Sequence, residues 1–418
     1  MQQVELKYGE GTITVQIPTE NMMGILLPNP IQVERTDEEA VKYSLEHPIG
    51  SPRLSEMVKE DSRVVIVTSD ITRPMPSAKV LPYVMEELKR GGVRQENVTV
   101  VLALGSHRKH SDQEKEKLVG SEVYHSGATI LDSDMDQCLR LGTCRNGTPV
   151  DIFTPVVDAD IRVCLGNVEF HYFAGYSGGN KALMPGVSSH DAIQANHSNM
   201  VHPDAYAGNI DTNPVRQDIE EITDFIPIEF IVNVVLDDHK KIVGAFSGHH
   251  VEAHREACRL LDRIYKIPLE EKADIVIASP GGFPKDINIY QSQKGLDNAK
   301  HAVKKGGIII WPASAKEGFG EKVFEEWMRN KTPAEMVEEI QRNFKLGGHK
   351  AAAISMILQD ADIFMVSDLP DDLVRQIHFI PFASLQEALD EALRKMGKDA
   401  KVLVLPAAGS TLPMLKRD

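Results

Sequence analysis

The chain has 418 residues, with 61 acidic against 46 basic side chains and a formal charge of −15 at neutral pH. That balance makes the chain a poor candidate for nonspecific nucleic-acid binding, which needs a basic surface. A hydrophobic fraction of 42% is that of a globular protein, and the length exceeds one ordinary core, pointing to two or three domains.

No apolar run reaches the roughly 18 residues that span a bilayer, so no membrane partner is expected. The opening MQQVELKYGEG lacks the basic and apolar regions of a secretory signal. None of the four cysteines (Cys138, Cys144, Cys164, Cys258) pairs as C-x-x-C. Cys164, in the apolar run IRVCLG, reads as core. A reducing, cytoplasmic setting without zinc or disulfides is the expectation.

In chain order, Val4, Leu6 and Tyr8, then GEG, then Ile13, Val15 and Ile17 predict a hairpin. Short β-branched runs follow, at 63–68, 98–104, 161–166, 230–235, 274–279, 307–312, 363–368 and 401–406. Strands apolar throughout suggest parallel sheets covered on both faces. Between them, residues 77–90 put Val80, Leu81, Val84, Met85 and Leu88 on one helical face and stop at Gly91–Gly92. Residues 333–345 and 384–396 read alike, and 255–272 reads as a charged helix. The expected architecture is two α/β domains with mainly parallel sheets facing across an interdomain active-site cleft. The first domain is placed at 1–270 and the second at 271–418, with the last residues open to packing back on the first.

Ligands of open α/β sheets bind beyond the carboxyl ends of the strands. There the sequence places SDITRPMP, GSHRKH, NVEFHYFAGYSGGNK, PGGFPKD, ASAKEGFG and AAGSTLP. In DITRP, Asp70 and Thr72 suit a turn, and Pro74 keeps Arg73 extended, able to grip a carboxylate. His107 and His171 each follow a strand, where histidine suits proton transfer or metal ligation.

The Ser177–Gly178–Gly179–Asn180–Lys181 stretch is not a P-loop: the second glycine and the magnesium-binding hydroxyl are missing. Its backbone amides can still cradle a phosphate, and a tight turn requiring glycine explains it equally well. Ser188 or Ser189 caps a following helix, with Asp191 in its first turn and His197 near its end. Gln291 and Lys294 share a helical face. These residues describe an α/β enzyme acting on a small anionic substrate by acid–base or metal chemistry, and leave the reaction open.

Taken together and in order, DITRPMP, GSHR, EFHYFAGYSGGNKALMPGV, NHS and NIYQSQKG resemble the nickel-dependent lactate racemase family of 2-hydroxyacid racemases and epimerases. The resemblance implies a nickel pincer nucleotide, a pyridinium-3-thioamide-5-thiocarboxylate mononucleotide, covalently attached at Lys181. His197 would ligate the nickel. His107 and His171 would be acid and base on the substrate hydroxyl while the α-hydride moves to the cofactor. Arg73, Tyr290, Gln291 and Lys294 would hold the substrate, and Asp70, Ser177, Gly178 and Gly179 would line the cofactor. The implied partners are a small anionic 2-hydroxyacid and cofactor-biosynthesis proteins.

The particular hydroxyacid and any homo-oligomer stay open. Arg108, Lys109 and His110 read either as favouring a doubly charged substrate or as a solvated basic turn. Trp311 has no assigned role. A phosphate- or nucleotide-dependent transferase and a non-catalytic hydroxyacid-binding homologue remain the alternatives.

Overall fold

A computed structural model describes residues 1–416. The chain divides into two compact units, one formed by Ile31–Arg263 and the other by Met1–Pro30 with Ile264 onward.

The middle unit is built on a six-stranded sheet. Its strands run in the order Ile242–Gly248, Phe230–Leu236, Ile161–Asn167, Val64–Ser69, Val98–Ala103, Thr129–Asp132. All neighbours are parallel except the first pair. Val64, Val65, Ile66 and Val67 are all buried, so side chains on both faces of that strand lie in core. This is why its sequence does not alternate. The helix Ser77–Arg90 lays Val80, Leu81, Val84 and Leu88 into this core. It stops at Gly91, where a Cβ would come within 2.3 Å of the Val58 side chain. Each such buried aliphatic side chain contributes about 1.5–3 kcal/mol.

The other unit carries a six-stranded sheet that is parallel throughout: Ile380–Pro381, Ala361–Val366, Val303–Pro312, Ala273–Ala278, Val402–Leu405, Met22–Ile25. The N-terminal hairpin forms in the expected register, with Val4 opposite Val15 and Leu6 opposite Ile13. These side chains share a core with Ile275, Ile308, Leu385 and Leu389.

The expected domain division is therefore corrected. The first thirty residues belong with the C-terminal half, because their apolar face is buried there and Met22–Ile25 pairs with Val402–Leu405. The last strand, Leu412–Leu415, pairs in parallel with Lys266–Leu269 in the same unit. The charged helix ends sooner than expected, at Tyr265, where the chain turns extended at Lys266. Among the described residues no helix is long and apolar enough to cross a membrane, and all four cysteines are free.

Candidate active site

Three adjacent strands of the middle unit, Ile161–Asn167, Val64–Ser69 and Val98–Ala103, deliver loops at their carboxyl ends. Beyond Ser69, buried Asp70 organises the DITRP turn. Its Oδ1 accepts from the Thr72 amide at 2.9 Å and the Thr72 hydroxyl at 2.6 Å, and the Arg73 amide donates to the Asp70 carbonyl at 3.2 Å. Asp70 Oδ2 pairs with His107 Nδ1. Burial alone would raise the Asp70 pKa. The His107 and Thr72 hydrogen bonds and the charge of Arg73 outweigh it and hold the carboxyl below its ordinary range. A carboxylate can only accept, so His107 carries its proton on Nδ1 and Nε2 is the basic nitrogen.

His110, three residues on, makes a second pair. Its Nδ1 lies 2.6 Å from Asp132 Oδ1, while its Nε2 accepts the Ile71 amide at 3.1 Å. Arg108 is paired with Glu114 and Lys109 with Asp134. Both exposed cations thus have partners within the chain, which favours reading Arg108 and Lys109 as a solvated basic turn.

The glycine turn follows Ile161–Asn167. Gly175, Gly178 and Gly179 all have positive φ, and a Cβ on Gly175 would fall 2.0 Å from the Asn209 carbonyl. The expected phosphate cradle is corrected at two positions. The Ser177 amide donates to the Glu169 carbonyl and the Gly179 amide to Asn233 Oδ1, both at 2.9 Å. The Ser177 hydroxyl is likewise engaged with the Asn167 carbonyl at 2.8 Å. The turn instead presents Lys181. Burial, then the charges of Arg216 and Arg73, lower the Lys181 pKa to about 7, so much of this amine is a neutral nucleophile near neutral pH. A turn that commits its own amides offers little to a transferred phosphate, which disfavours the transferase alternative.

His197 sits near the end of helix His190–Ser198, which Ser189 caps by accepting from the Ala192 amide. Asn196 donates through Nδ2 to the Val215 carbonyl, fixing its amide so that Oδ1 accepts from His197 Nδ1 at 3.0 Å. The basic nitrogen of His197 is therefore Nε2. An imidazole oriented by such a partner is a good ligand for a late transition metal. His171 Nδ1 accepts the Ala174 amide at 3.2 Å, so in its neutral form the proton is on Nε2. Phe173 stands edge-on to both rings, with centroids 4.5 Å from His171 and 4.9 Å from His197. The loops are tied together as well, for Gly105 donates to the Gly186 carbonyl at 3.0 Å. A reactive amine, an oriented metal-type histidine and two further histidines fit a lysine-linked, nickel-bearing group.

Tyr290, Gln291 and Lys294 belong to the other unit. They lie on helix Ile289–Ala299, which follows the central strand Ala273–Ala278 and is capped by Asn288. Lys350 joins them there: its ammonium donates to the Tyr290 carbonyl at 2.6 Å and lies 4.0 Å from the Tyr290 ring centre. Trp311 is fully buried in its strand. Sequence reading missed Lys350, Asn196, Asn233, Arg216 and His254. Asn196 lies in the NHS motif but its role does not show there, the others are polar residues on a helix or strand with no motif around them, and only tertiary contact reveals the partner of each.

Fold and site together describe a mixed α/β protein whose middle unit carries His107, His171 and Lys181 on loops at the carboxyl ends of adjacent parallel strands. The description "Lactate racemase N-terminal domain" matches residues 8–208 and "Lactate racemase C-terminal domain" matches residues 269–412. A lactate racemase of Thermoanaerobacterium thermosaccharolyticum is 34% identical over 424 aligned positions, covering 99% of both chains. One from Lactiplantibacillus plantarum is 32% identical, covering 96% of this chain and 97% of that one. The solved lactate racemase apoprotein of T. thermosaccharolyticum superposes with a TM-score of 0.90 at 32% identity over the whole of both chains. A Thermotoga maritima protein shares the fold at a TM-score of 0.65 and 19% identity, covering 94% of this chain and all of that one. The chain belongs to the lactate racemase family.

Proposed function

We propose that the chain is a racemase that inverts the hydroxyl-bearing α carbon of a 2-hydroxyacid, with lactate as the substrate its relatives' names indicate. The observation that carries this reading is the Asp70–His107 pair, which joins the loops after Val64–Ser69 and Val98–Ala103 beside the strand that delivers His171 and Lys181. Interconverting mirror images requires a proton acceptor and donor for each face of a planar intermediate, and two histidines meet that need.

In this reading His107 takes the hydroxyl proton on Nε2, and Asp70 stabilises the imidazolium that results. His171, on the loop after the neighbouring strand, serves the opposite face, taking the proton as neutral imidazole and returning it as imidazolium. Arg73 offers a planar fork to the substrate carboxylate, and Tyr290, Gln291 and Lys294 orient the substrate. Lys181 would hold a nickel pincer nucleotide through a thioamide, with His197 on the metal and Asp70 and the Gly178 turn beside it. When bound, that group supplies reversible hydride acceptance, which the side chains of this protein cannot provide. Loading it calls on the proteins that make the cofactor. The acid excess suits an enzyme of small molecules rather than of nucleic acid.

The test uses chain produced together with the cofactor's biosynthetic enzymes and one enantiomer of α-deuterated lactate. The expected result is decay of optical activity to zero with deuterium retained in the inverted product. Inversion with deuterium lost to solvent, or no inversion by fully loaded chain across a panel of 2-hydroxyacids, overturns the reading.

A further inference from the structure

His254 takes no part in the chemistry just described, yet it is completely buried on helix Glu252–Tyr265. Its Nδ1 lies 2.8 Å from Arg255 Nη1 and 3.3 Å from Arg216 Nη2. A guanidinium only donates, so Nδ1 is the acceptor and Nε2 carries the proton. That Nε2–H donates to the Ser177 carbonyl at 2.8 Å. Arg216 donates to the neighbouring Tyr176 carbonyl at 3.2 Å and to Glu220, which also receives Arg255. Both carbonyls immediately before Gly178 are thus gripped by buried side chains. A Cβ on Gly179 would meet His254 at 3.0 Å and Arg216 at 3.2 Å, so the turn is packed directly on this network.

We propose that His254 is a positioning residue for Lys181: it locks the carbonyl side of the Ser177–Gly179 turn and so fixes the backbone from which the lysine side chain extends. Burial, then Arg216 and Arg255, push the His254 pKa down to about 3. The ring therefore stays neutral, with one donor and one acceptor, throughout the range in which the lysine titrates. The charged and titratable groups around the amine are Arg73 from the DITRP turn and Arg216 from helix Pro214–Glu221. Glu220, Arg255 and His254 lie behind them, and His250 reaches Asn180 at 2.9 Å. With His254 removed, the turn loosens, the amine gains water, and its proton affinity rises toward that of an ordinary lysine.

The experiment uses the chain without cofactor, so it stands apart from the racemase reading. Trace acetylation with acetic anhydride between pH 5 and 11 is followed at Lys181 by peptide mass spectrometry, with Lys305, 85% exposed, as reference. In the native chain Lys181 should titrate well below the usual lysine range. His254→Ala should raise its midpoint by at least about one pH unit, a roughly fivefold or greater loss of labelling at pH 7. His254→Gln, whose amide can still donate to the Ser177 carbonyl, should stay within about threefold of native.

A merely structural residue would lower the melting temperature and leave the labelling midpoint unmoved. A folded His254→Ala chain with the native midpoint overturns the proposal, as does a glutamine variant that behaves like alanine. If the alanine chain does not fold, Arg255→Met decides. It removes one donor to Nδ1 from a partly exposed position and should raise the midpoint in the same direction by a smaller amount; no rise overturns the proposal.

Discussion

Two histidine–aspartate pairs leave the same loop, three residues apart, and only one leaves its second ring nitrogen open. His107 joins Asp70 through Nδ1 and keeps 23% of its side chain exposed, whereas His110 joins Asp132 through Nδ1 and keeps 2%. His110 uses its second nitrogen to accept the Ile71 amide; among the described residues His107 Nε2 has no such bond. The same pairing leaves one nitrogen accessible at His107, which suits the proton-carrier role proposed for it, and uses both at His110, which braces the turn. The two act in series, since His110 holds the backbone of the turn from which Asp70 reaches His107.

The sharpest way to break this contrast is to remove each ring. His107→Gln should lower kcat by about 10²- to 10⁴-fold, the scale of a lost general base. His110→Gln should cost about tenfold, as a lost orienting partner does. Steady-state racemisation by equally loaded chains measures both, and equal losses would erase the distinction. Asp70→Asn should cost a further about 10²-fold or more, because an amide can turn the imidazole to the wrong tautomer. Asp132→Asn should cost far less.

Stability should invert the order. His110→Gln leaves a buried carboxylate and a backbone amide less well paired, at about 1–3 kcal/mol. His107→Gln should fall within about 1 kcal/mol of native in urea melts.

The smallest effect is acid sensitivity. The Asp70 pKa is lowered in the folded chain, so its stabilisation is complete above the unfolded value of about 3.9. It is lost as pH falls through the lower, folded value. Melts at pH 7 and pH 3 should therefore show a smaller acid loss in Asp70→Asn than in the native chain.

The contrast also marks what is legible in a sequence. The eight apolar runs became parallel strands and residues 77–90 became a helix, because burial on both strand faces and a 3.6-residue stripe leave local signatures. Thr129–Asp132 and Ile242–Gly248, at the sheet edges, leave no such signature: the first is four residues long and the second is interrupted by Gly244. Residues 1–30 were placed in the wrong unit because an alternating hairpin shows which face is apolar but not what covers it.

Within the site, Asp70, His107 and Lys181 could be named from strand ends and turn chemistry. The roles of Ser177 and Gly179 could not. Whether a backbone amide faces a ligand or Asn233, 54 positions away, is decided by tertiary packing. His107 and His110 look alike in GSHRKH, and only Asp132 and the Ile71 amide tell them apart.

The most direct test of the account is intact mass with nickel quantitation on native chain and Lys181→Ala, both produced with the cofactor's biosynthetic enzymes. The account predicts a mass increment and near-stoichiometric nickel in the native chain and neither in the variant. A native chain with no increment and no nickel, from cells in which a lactate racemase relative loads fully, would contradict it.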